Sequence, residues 1–435
     1  MQLRLKNINK IEEATINLNG LTIVAGVNDT GKSTIGKVLF ALIKAVNKVA
    51  THTEESKLKK YKTQALNLYM LLRRTERQLS DNIIGHLFPA TSKDFVEEIT
   101  GIDGESILET SGYMIEGLEI NPRQKASLLR SIQNLKDIMF ESDDPLHILA
   151  RELKDSIEAE FLNNICSYKT ENSKIEFIDI PKTRQVEIAI NDKGIDVISG
   201  MDLHEFSIED ITFVESPLYI HLIDTLCYAQ TLKEQRRYSA TVMPFVNYHV
   251  KDLAIKLDAL KYLANYPLLQ GFENLVDIKK ITDVTKGKFV FDVNSKNIYW
   301  QKDGVKYSPV NVASGLKSFG VMQILAETQA INENKILIWD EPENHLHPEW
   351  QIRLAELMVE MSKAGIPILI TSHSPYFIQA IRYFSQKYAL EKYVSYYLAE
   401  EQENGLSRID DVTDDLNRVF YKLAQPMNEI INIGM

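Results

Sequence analysis

Gly26-Val27-Asn28-Asp29-Thr30-Gly31-Lys32-Ser33 is a complete GxxxxGKS phosphate loop, and the residues on either side of it decide the fold class. Leu21 to Ala25, just before it, are mostly apolar, as in a strand covered on both faces. After it, Ile35, Val38, Leu39, Leu42, Ile43, Val46 and Val49 follow helical spacing from Lys32 onward. In such a strand, loop and helix, glycines let backbone N–H groups curl round phosphates, Lys32 neutralises the β and γ groups, and the Ser33 hydroxyl ligates Mg²⁺. The helix N-terminus adds its dipole. Gly26, Asn28, Thr30, Gly31, Lys32, Ser33 and Thr34 are therefore candidate ATP-binding residues. A turn that merely caps a helix would explain the glycines but not the strand before them. Further upstream, Met1, Leu3 and Leu5 alternate with polar residues, as do Ala14, Ile16 and Leu18, which predicts half-buried strands. Asn19-Gly20 predicts a tight hairpin between the second of these and Leu21.

A second constellation lies more than 300 positions later. Ile336 to Trp339 form an apolar strand ending in Asp340-Glu341. A carboxylate at the tip of a buried strand beside a phosphate loop can hold Mg²⁺, the role that Asp340 fits, and an adjacent one can polarise the attacking water, the role that Glu341 fits. Pro342-Glu343-Asn344-His345-Leu346-His347-Pro348 follows, then a helix from about Glu349 to Met361. His345 and His347 have no third ligand nearby, so a turn at a subunit surface is preferred over a transition-metal site. The strand Ile366 to Ile370 leads to Thr371-Ser372-His373-Ser374-Pro375, which puts His373 at a strand end, within reach of a γ-phosphate. Lys32, Glu341 and His373 are thus the candidate catalytic residues, and Ser33 and Asp340 the candidate Mg²⁺ ligands. Between the constellations, Ser314-Gly315 precedes an amphipathic helix containing Ile324 and Leu325, where it can form an anion site or merely an N-cap.

The chain has 435 residues, which at one domain per roughly 150 residues suggests two to four domains, or one with large insertions. With 44% hydrophobic and 25% charged residues it is neither collagen-like nor wholly disordered. The net charge of −11 argues against a chain-wide electrostatic footprint for nucleic acid, while leaving room for a local basic face. Cys166 and Cys227, the two cysteines, are too far apart and too few for a disulfide framework or a cysteine zinc site. No apolar run approaches the roughly 18 to 20 residues of a membrane span, and no leader pattern opens the chain, so a cytoplasmic protein without membrane contact is expected.

In order, the Gly26 to Ser33 loop, Ala313-Ser314-Gly315, the Asp340 to Pro348 run and the Thr371 to Pro375 run resemble the ATP-binding-cassette (ABC) ATPase heads of the SMC and RecF group. Within that group they look most like stand-alone bacterial ATPases of the overcoming-lysogenization-defect (OLD) type, including subunits of phage-defence pairs such as Septu and PARIS. The resemblance covers roughly residues 1–50 and 275–398, not the middle. It implies an α/β fold: an ABC-type P-loop ATPase head, a mixed sheet with flanking helices, carrying a large, mainly helical insertion. The head would comprise residues 1–50, 173–218 and 275–435, the insertion 51–172, a short hairpin or coiled-coil arm, and 219–274 a second helical segment. It further implies ATP and Mg²⁺ as cofactors, and a head-to-tail homodimer or higher homo-oligomer with ATP between the phosphate loop of one subunit and Ser314-Gly315 of the other. Leu316 replaces the second glycine of the transporter signature, which weakens a transporter reading. A glutamine loop is sought after the strand Ile211 to Val214, but the residues there are Glu215-Ser216-Pro217.

In the insertion, Leu58, Tyr61, Ala65, Leu68, Leu72 and Leu79, and then Leu128, Ile132, Leu135 and Met139, keep heptad-like spacing. Residues 173–200 alternate as strands, and helices return from about Tyr219 to Leu269. Lys57, Lys59, Lys60 and Lys62, with Arg73, Arg74 and Arg77, and a smaller cluster of Arg236 and Arg237, could contact DNA or RNA phosphates. Interleaved Glu54, Glu55 and Glu76 favour a solvated helix face instead. The residues after His373 are not expected to hold the acidic nuclease domain that OLD nucleases carry, nor does any Arg stand at the toxin-ribonuclease spacing before a His, so any effector, a nuclease or toxin, is expected on another polypeptide. The final helix, with Leu416, Val419, Phe420, Leu423, Met427 and Ile430, either docks a partner or packs on its own head. The expected function is an MgATP-hydrolysing switch that regulates a separate effector in antiviral defence. The alternatives are a DNA-repair or chromosome-maintenance ATPase, a transporter's ATP-binding subunit, and a nucleotide-held scaffold that needs no turnover.

Overall fold

The computed structural model describes residues 1–50, 54–76, 91–101, 103–140, 144–161, 165–167, 172–179, 184–191, 194–200, 207–229, 231, 246–265 and 277–433. Leu79, Arg77, Arg236 and Arg237 lie outside these residues. The chain divides into two compact units: Met1–Lys48 with Leu149–Glu234 and Val242–Met435, and Val49–Ile148 with Gln235–Thr241.

The first unit is built on strands β1 (Gln2–Ile8), β2 (Ile11–Asn17), β3 (Leu21–Gly26), β4 (Ser173–Asp179), β5 (Arg184–Asn191), β6 (Gly194–Gly200) and β7 (Asp210–Val214). A separate three-stranded antiparallel sheet follows, β8 (Lys288–Asp292), β9 (Asn297–Lys302) and β10 (Val305–Tyr307). β11 (Lys335–Asp340), β12 (Ile368–Ser372), β13 (Val394–Glu401) and β14 (Ser407–Asp411) complete a main sheet in the order β6-β5-β4-β1-β2-β14-β13-β3-β12-β11-β7. Every residue of β3 is buried. It pairs in parallel with β12 and β13, and β12, β11 and β7 continue in parallel to that edge. On the other side β1, β2, β4, β5 and β6 run antiparallel to their neighbours within that group. β1 alternates buried and exposed, as a sheet with one wetter face requires. The result is a mixed α/β sheet with flanking helices.

The hairpin expected at Asn19-Gly20 does not form. β2 pairs with β14 and β3 with β13, so the β13–β14 hairpin separates the two strands. Gly20 instead makes a turn at φ +83°, and its carbonyl accepts from the Ile368 N–H. The real hairpin is one turn earlier, where Ile8 pairs Ile11 across Asn9-Lys10 with Asn9 in the left-handed region.

Helix α1 (Lys32–Ala50) follows the phosphate loop. Among the described residues of the first unit, α6 (Pro145–Phe161), α7 (Ile223–Tyr228), α8 (Tyr248–Asp258), α9 (Leu260–Asn265), α10 (Ile278–Thr285), α11 (Ser314–Glu327), α12 (Pro348–Lys363), α13 (Pro375–Lys387) and α14 (Asn417–Ile433) follow. The core unites Ile23, Leu337 and Ile370 of the sheet with Phe319, Met358 and Phe377 of α11, α12 and α13. Burial at roughly 25 cal/mol per Å² of apolar surface is what holds helices to sheet here. α11 is not amphipathic as expected: Lys317 to Ala326 are all buried, and the Gln323 amide is satisfied by both backbone groups of Phe289. In α14, Leu416 at the entry and Val419 are buried in this core, with Phe420 and Leu423 packed against it.

The second unit contains α2 (Glu54–Glu76), α3 (Ser92–Thr100), α4 (Gly104–Gly117) and α5 (Pro122–Met139). Thr91 caps α3 by accepting from the Asp94 N–H, and Asn121 caps α5 with Pro122 at the first helical position. Tyr61, Ala65, Leu68 and Leu72 pack with Phe95, Ile99, Leu128, Ile132 and Leu135 in a core of its own. Leu58, though on the same heptad stripe, is 46% exposed. No helix among the described residues is long and apolar enough to cross a membrane.

Buried ion pairs tie the first unit together. Lys44 of α1 reaches Asp210 at 2.6 Å and Asp252 at 2.7 Å, and Lys256 reaches the same two carboxylates at 2.9 Å. His249 of α8, fully buried, contacts Glu160 at 2.6 Å and Glu215 at 3.3 Å. Burial alone would lower the His249 pKa, but the bonds to Glu160 and Glu215 reverse that and raise it to about 9. Because this exceeds the ordinary value of 6.5, the pair's stabilisation is fully present below pH 6.5 and is lost as pH rises through about 9. Thermal unfolding should therefore show a fall in Tm of several degrees between pH 7 and 10 in the wild type that is much smaller in His249→Phe. Equal falls in both would contradict the role given to this pair.

Candidate nucleotide site

The backbone register of three strands builds the site. Val24 of β3 pairs Thr371 of β12, and Thr371 pairs Asp340 of β11. The phosphate loop, the β12 turn and the two carboxylates therefore emerge at one carboxyl edge of the sheet, the edge where open α/β sheets bind ligands. Gly31 adopts φ +80°, and a Cβ there would sit 2.9 Å from Ile11 Cγ1, so only glycine suits the loop at that point. Thr30 Oγ1 donates to the Val27 carbonyl at 2.8 Å, and Asp29, also left-handed, is paired with Lys10.

Lys32 is 5% exposed. Its ammonium donates to the carbonyls of Gly26 at 2.9 Å and Val27 at 2.7 Å, and lies 3.9 Å from Glu341 Oε1. Burial pushes its pKa down, only partly offset by Glu341, Asp340 and Glu343. A phosphate oxygen would compete with those loop carbonyls for the ammonium.

Asp340 accepts a hydrogen bond from the Thr371 hydroxyl. Burial raises its pKa, against the lowering effect of the Thr371 and Ser33 hydroxyls beside it. Ser33 and Asp340 thus present adjacent hydroxyl and carboxylate oxygens, a donor set that suits Mg²⁺, which takes one or two protein ligands and completes its shell with phosphate and water. Glu341 has φ +46°, a cost of roughly 1–3 kcal/mol for a non-glycine residue, and its N–H is held by the Thr371 carbonyl at 3.1 Å. Its Oε2 accepts from Asn344 at 2.9 Å, and Oε1 lies 3.1 Å from His373 Nδ1. Burial opposes ionisation of Glu341, but Asn344, His373 and Lys32 outweigh it and hold its pKa below the ordinary carboxylate value. An ionised carboxylate can polarise a water.

The structure thus brings Gly26, Thr30, Gly31, Lys32, Ser33, Asp340, Glu341 and His373 to one edge. Asn28 is exposed on the loop and Thr34 is half-buried in the first turn of α1, its N–H bonded to the Gly31 carbonyl. Ser314 and Gly315 stand outside that set of contacts. Ser314 is the first helical residue of α11, with Ala313 in the N-cap position, so it does not cap the helix. Gly315 abuts Trp350 and Leu346, which a Cβ would approach to 3.0–3.1 Å. His347 caps α12, its ring nitrogen accepting from the Glu349 N–H at 3.4 Å. β12 begins at Ile368, two residues later than expected, which places Thr371 and Ser372 on the strand itself.

At the tip of β7, Glu215 lies 3.9 Å from Lys37 of α1, accepts from Tyr219 OH at 2.7 Å and contacts His249. The His249 bond is the main reason its pKa falls to about 2. On α2, Lys59 and Lys62 are exposed, while Arg73 stacks 5.2 Å over the Tyr69 ring and donates to its hydroxyl at 3.1 Å. Sequence reasoning missed Thr371 and Asn344 as partners of the two carboxylates. Their signals were a hydroxyl at the end of a buried strand and an amide three residues after Glu341.

Residues 221–379 match the family model described as "AAA domain, putative AbiEii toxin, Type IV TA system". An uncharacterised protein of Methanocaldococcus jannaschii is 29% identical over 124 residues, 27% of this chain and 15% of that protein's length. The SMC head domain from Thermotoga maritima is 12% identical, with 94% of this chain and 98% of that one covered and a TM-score of 0.37. A Pyrococcus furiosus Smc head with an extended coiled coil, bound to the C-terminal domain of ScpA, is 11% identical, with 100% and 99% covered and a TM-score of 0.38. With TM-scores this low the fold rests on the sheet order itself. Phosphate loop, carboxylate pair, mixed sheet and matched AAA model together support a P-loop ATPase with an ABC-type α/β fold.

Lys32→Ala removes the ammonium that the Gly26 and Val27 carbonyls hold inside the loop, so affinity for ATP should fall by about tenfold or more. Titration calorimetry with MgATP measures this, and unchanged affinity would contradict the site.

Proposed function

We propose that the protein hydrolyses MgATP to ADP and phosphate and uses the cycle to switch a head-to-tail homodimer. The observation that carries this is the placement of an ionised Glu341 3.1 Å from His373 and 3.9 Å from Lys32, beside the phosphate loop. Lys32 binds the β and γ phosphates, and Glu341 orients the attacking water and takes up its proton. His373 donates to the γ-phosphate and sets the orientation of Glu341. Ser33 and Asp340 would hold Mg²⁺, which would supply charge neutralisation. Catalysis of this kind is mainly positioning and electrostatics.

Ser314 and Gly315 lie outside the contacts of the phosphate loop in the same chain, which supports a second copy supplying them. The motif set's resemblance to OLD-type ATPases supports the finer reading: regulation of a separate effector, a nuclease or toxin, in antiviral defence. The matched family model, whose description names a toxin–antitoxin system, is consistent with it. Nucleic acid would be met through the exposed Lys59 and Lys62 of α2.

Glu341→Gln should lower turnover by about 100-fold or more while keeping ATP affinity, and should accumulate as a dimer when MgATP is present. Light scattering on the variant, followed by capture of its partners from the native host, tests both levels. A monomer in MgATP would contradict the switch. Nucleic acid captured without a stoichiometric protein would replace the effector reading with DNA maintenance.

A further inference from the structure

Glu343 takes no part in the chemistry above, yet it is more deeply buried than Asp340 or Glu341, at 3% exposure. Its Oε1 accepts three hydrogen bonds: from Ser372 Oγ at 2.6 Å, the His373 N–H at 3.1 Å and the Ser374 N–H at 3.2 Å. The two N–H groups lie at the start of α13, where no carbonyl of the helix can satisfy them and where its dipole favours an acceptor. Ser374 caps the same helix by accepting from the Phe377 N–H, and donates to Gln351 of α12. Oε2 of Glu343 is buried without a hydrogen-bond partner among the described residues, so one oxygen makes all these bonds.

The geometry has a consequence for turnover. Glu341 and Glu343 share the turn that leaves β11, and His373 stands on the turn that leaves β12. The 3.1 Å contact between Glu341 and His373 therefore spans two separate turns, and Glu343 is the side chain that bonds one turn to the other. We infer that Glu343 is a positioning residue for ATP hydrolysis, fixing the backbone of His373 and so the distance of its imidazole from Glu341. What the site needs from it is an acceptor oxygen at that place, which a glutamine also supplies. This inference rests on Glu341 and His373 being the hydrolytic pair.

The test is steady-state MgATP hydrolysis by the full chain, with ATP affinity measured separately by calorimetry, for wild type, Glu341→Gln, Glu343→Ala, Glu343→Gln and Ser372→Ala. Glu343→Ala should lower kcat about tenfold or more while ATP affinity stays within about twofold, because misplacement costs the chemical step and not the binding. Glu343→Gln should recover turnover to within about threefold of wild type, and Ser372→Ala, which leaves both backbone donors, should lose about threefold. A purely structural role would lower affinity and turnover together and would not be rescued by glutamine. Glu343→Ala turning over like wild type, or Glu343→Gln no better than Glu343→Ala, overturns the inference. Should Glu343→Ala fail to fold, Ser372→Ala with unchanged kcat overturns it equally. A wild type no faster than Glu341→Gln would sink the hydrolytic reading itself, and that result is read without any Glu343 variant.

Discussion

Thr371 is the constraint on which the site depends. It is 1% exposed in β12, between the strand that ends in the phosphate loop and the strand that ends in the carboxylates. Its hydroxyl donates to Asp340, and its carbonyl and hydroxyl oxygens both lie 3.1 Å from the Glu341 nitrogen. One residue thus fixes the two carboxylates in opposite ways: Asp340 by a side-chain bond on the strand, Glu341 by a backbone bond that accompanies its left-handed turn. Without those bonds the β11 tip would lose the placement of both carboxylates. Pairing a buried polar side chain fully is what makes such a residue specify geometry, since an unmade bond there costs about 1–3 kcal/mol.

The electrostatics follow from this geometry. Asp340 and Glu341 are neighbours in sequence, yet burial raises the pKa of the first while Asn344, His373 and Lys32 lower that of the second. Adjacent carboxylates pushed apart in this way can take different roles, one as a ligand and one as a base. A cation beside Asp340 would oppose that rise. Farther along the same edge, Glu215 holds its charge through His249, whose other nitrogen is held by Glu160. Charge at the end of β7 is thereby tied to helices α6 and α8 rather than left to solvent.

The phosphate loop, the β11 carboxylates and His373 were legible in the sequence because their chemistry is local: residue types at short fixed spacings next to apolar strands. The hairpin at Asn19-Gly20 was misread because the true neighbours of β2 and β3 come from residues 394–411, and no local pattern reveals a strand pair inserted from so far along the chain. The burial of α11, expected to be amphipathic, was hidden for a related reason: it carries the polar Lys317, Ser318 and Gln323, and β8 supplies Gln323 with partners only once the chain is folded. Glu343 was quoted within its motif without a role, since three donors from the β12 turn converge on it only in three dimensions. In the insertion, heptad spacing located the helices but did not show that Leu58 would face solvent.

The most direct measurement is single-turnover hydrolysis of MgATP by Thr371→Val and Thr371→Ser, with ATP binding followed in the same preparations. Valine keeps the shape of the strand and removes the hydroxyl, so hydrolysis should fall about tenfold or more while binding at the phosphate loop persists, and serine should restore it. Hydrolysis by Thr371→Val at the wild-type rate would contradict a site organised by this residue.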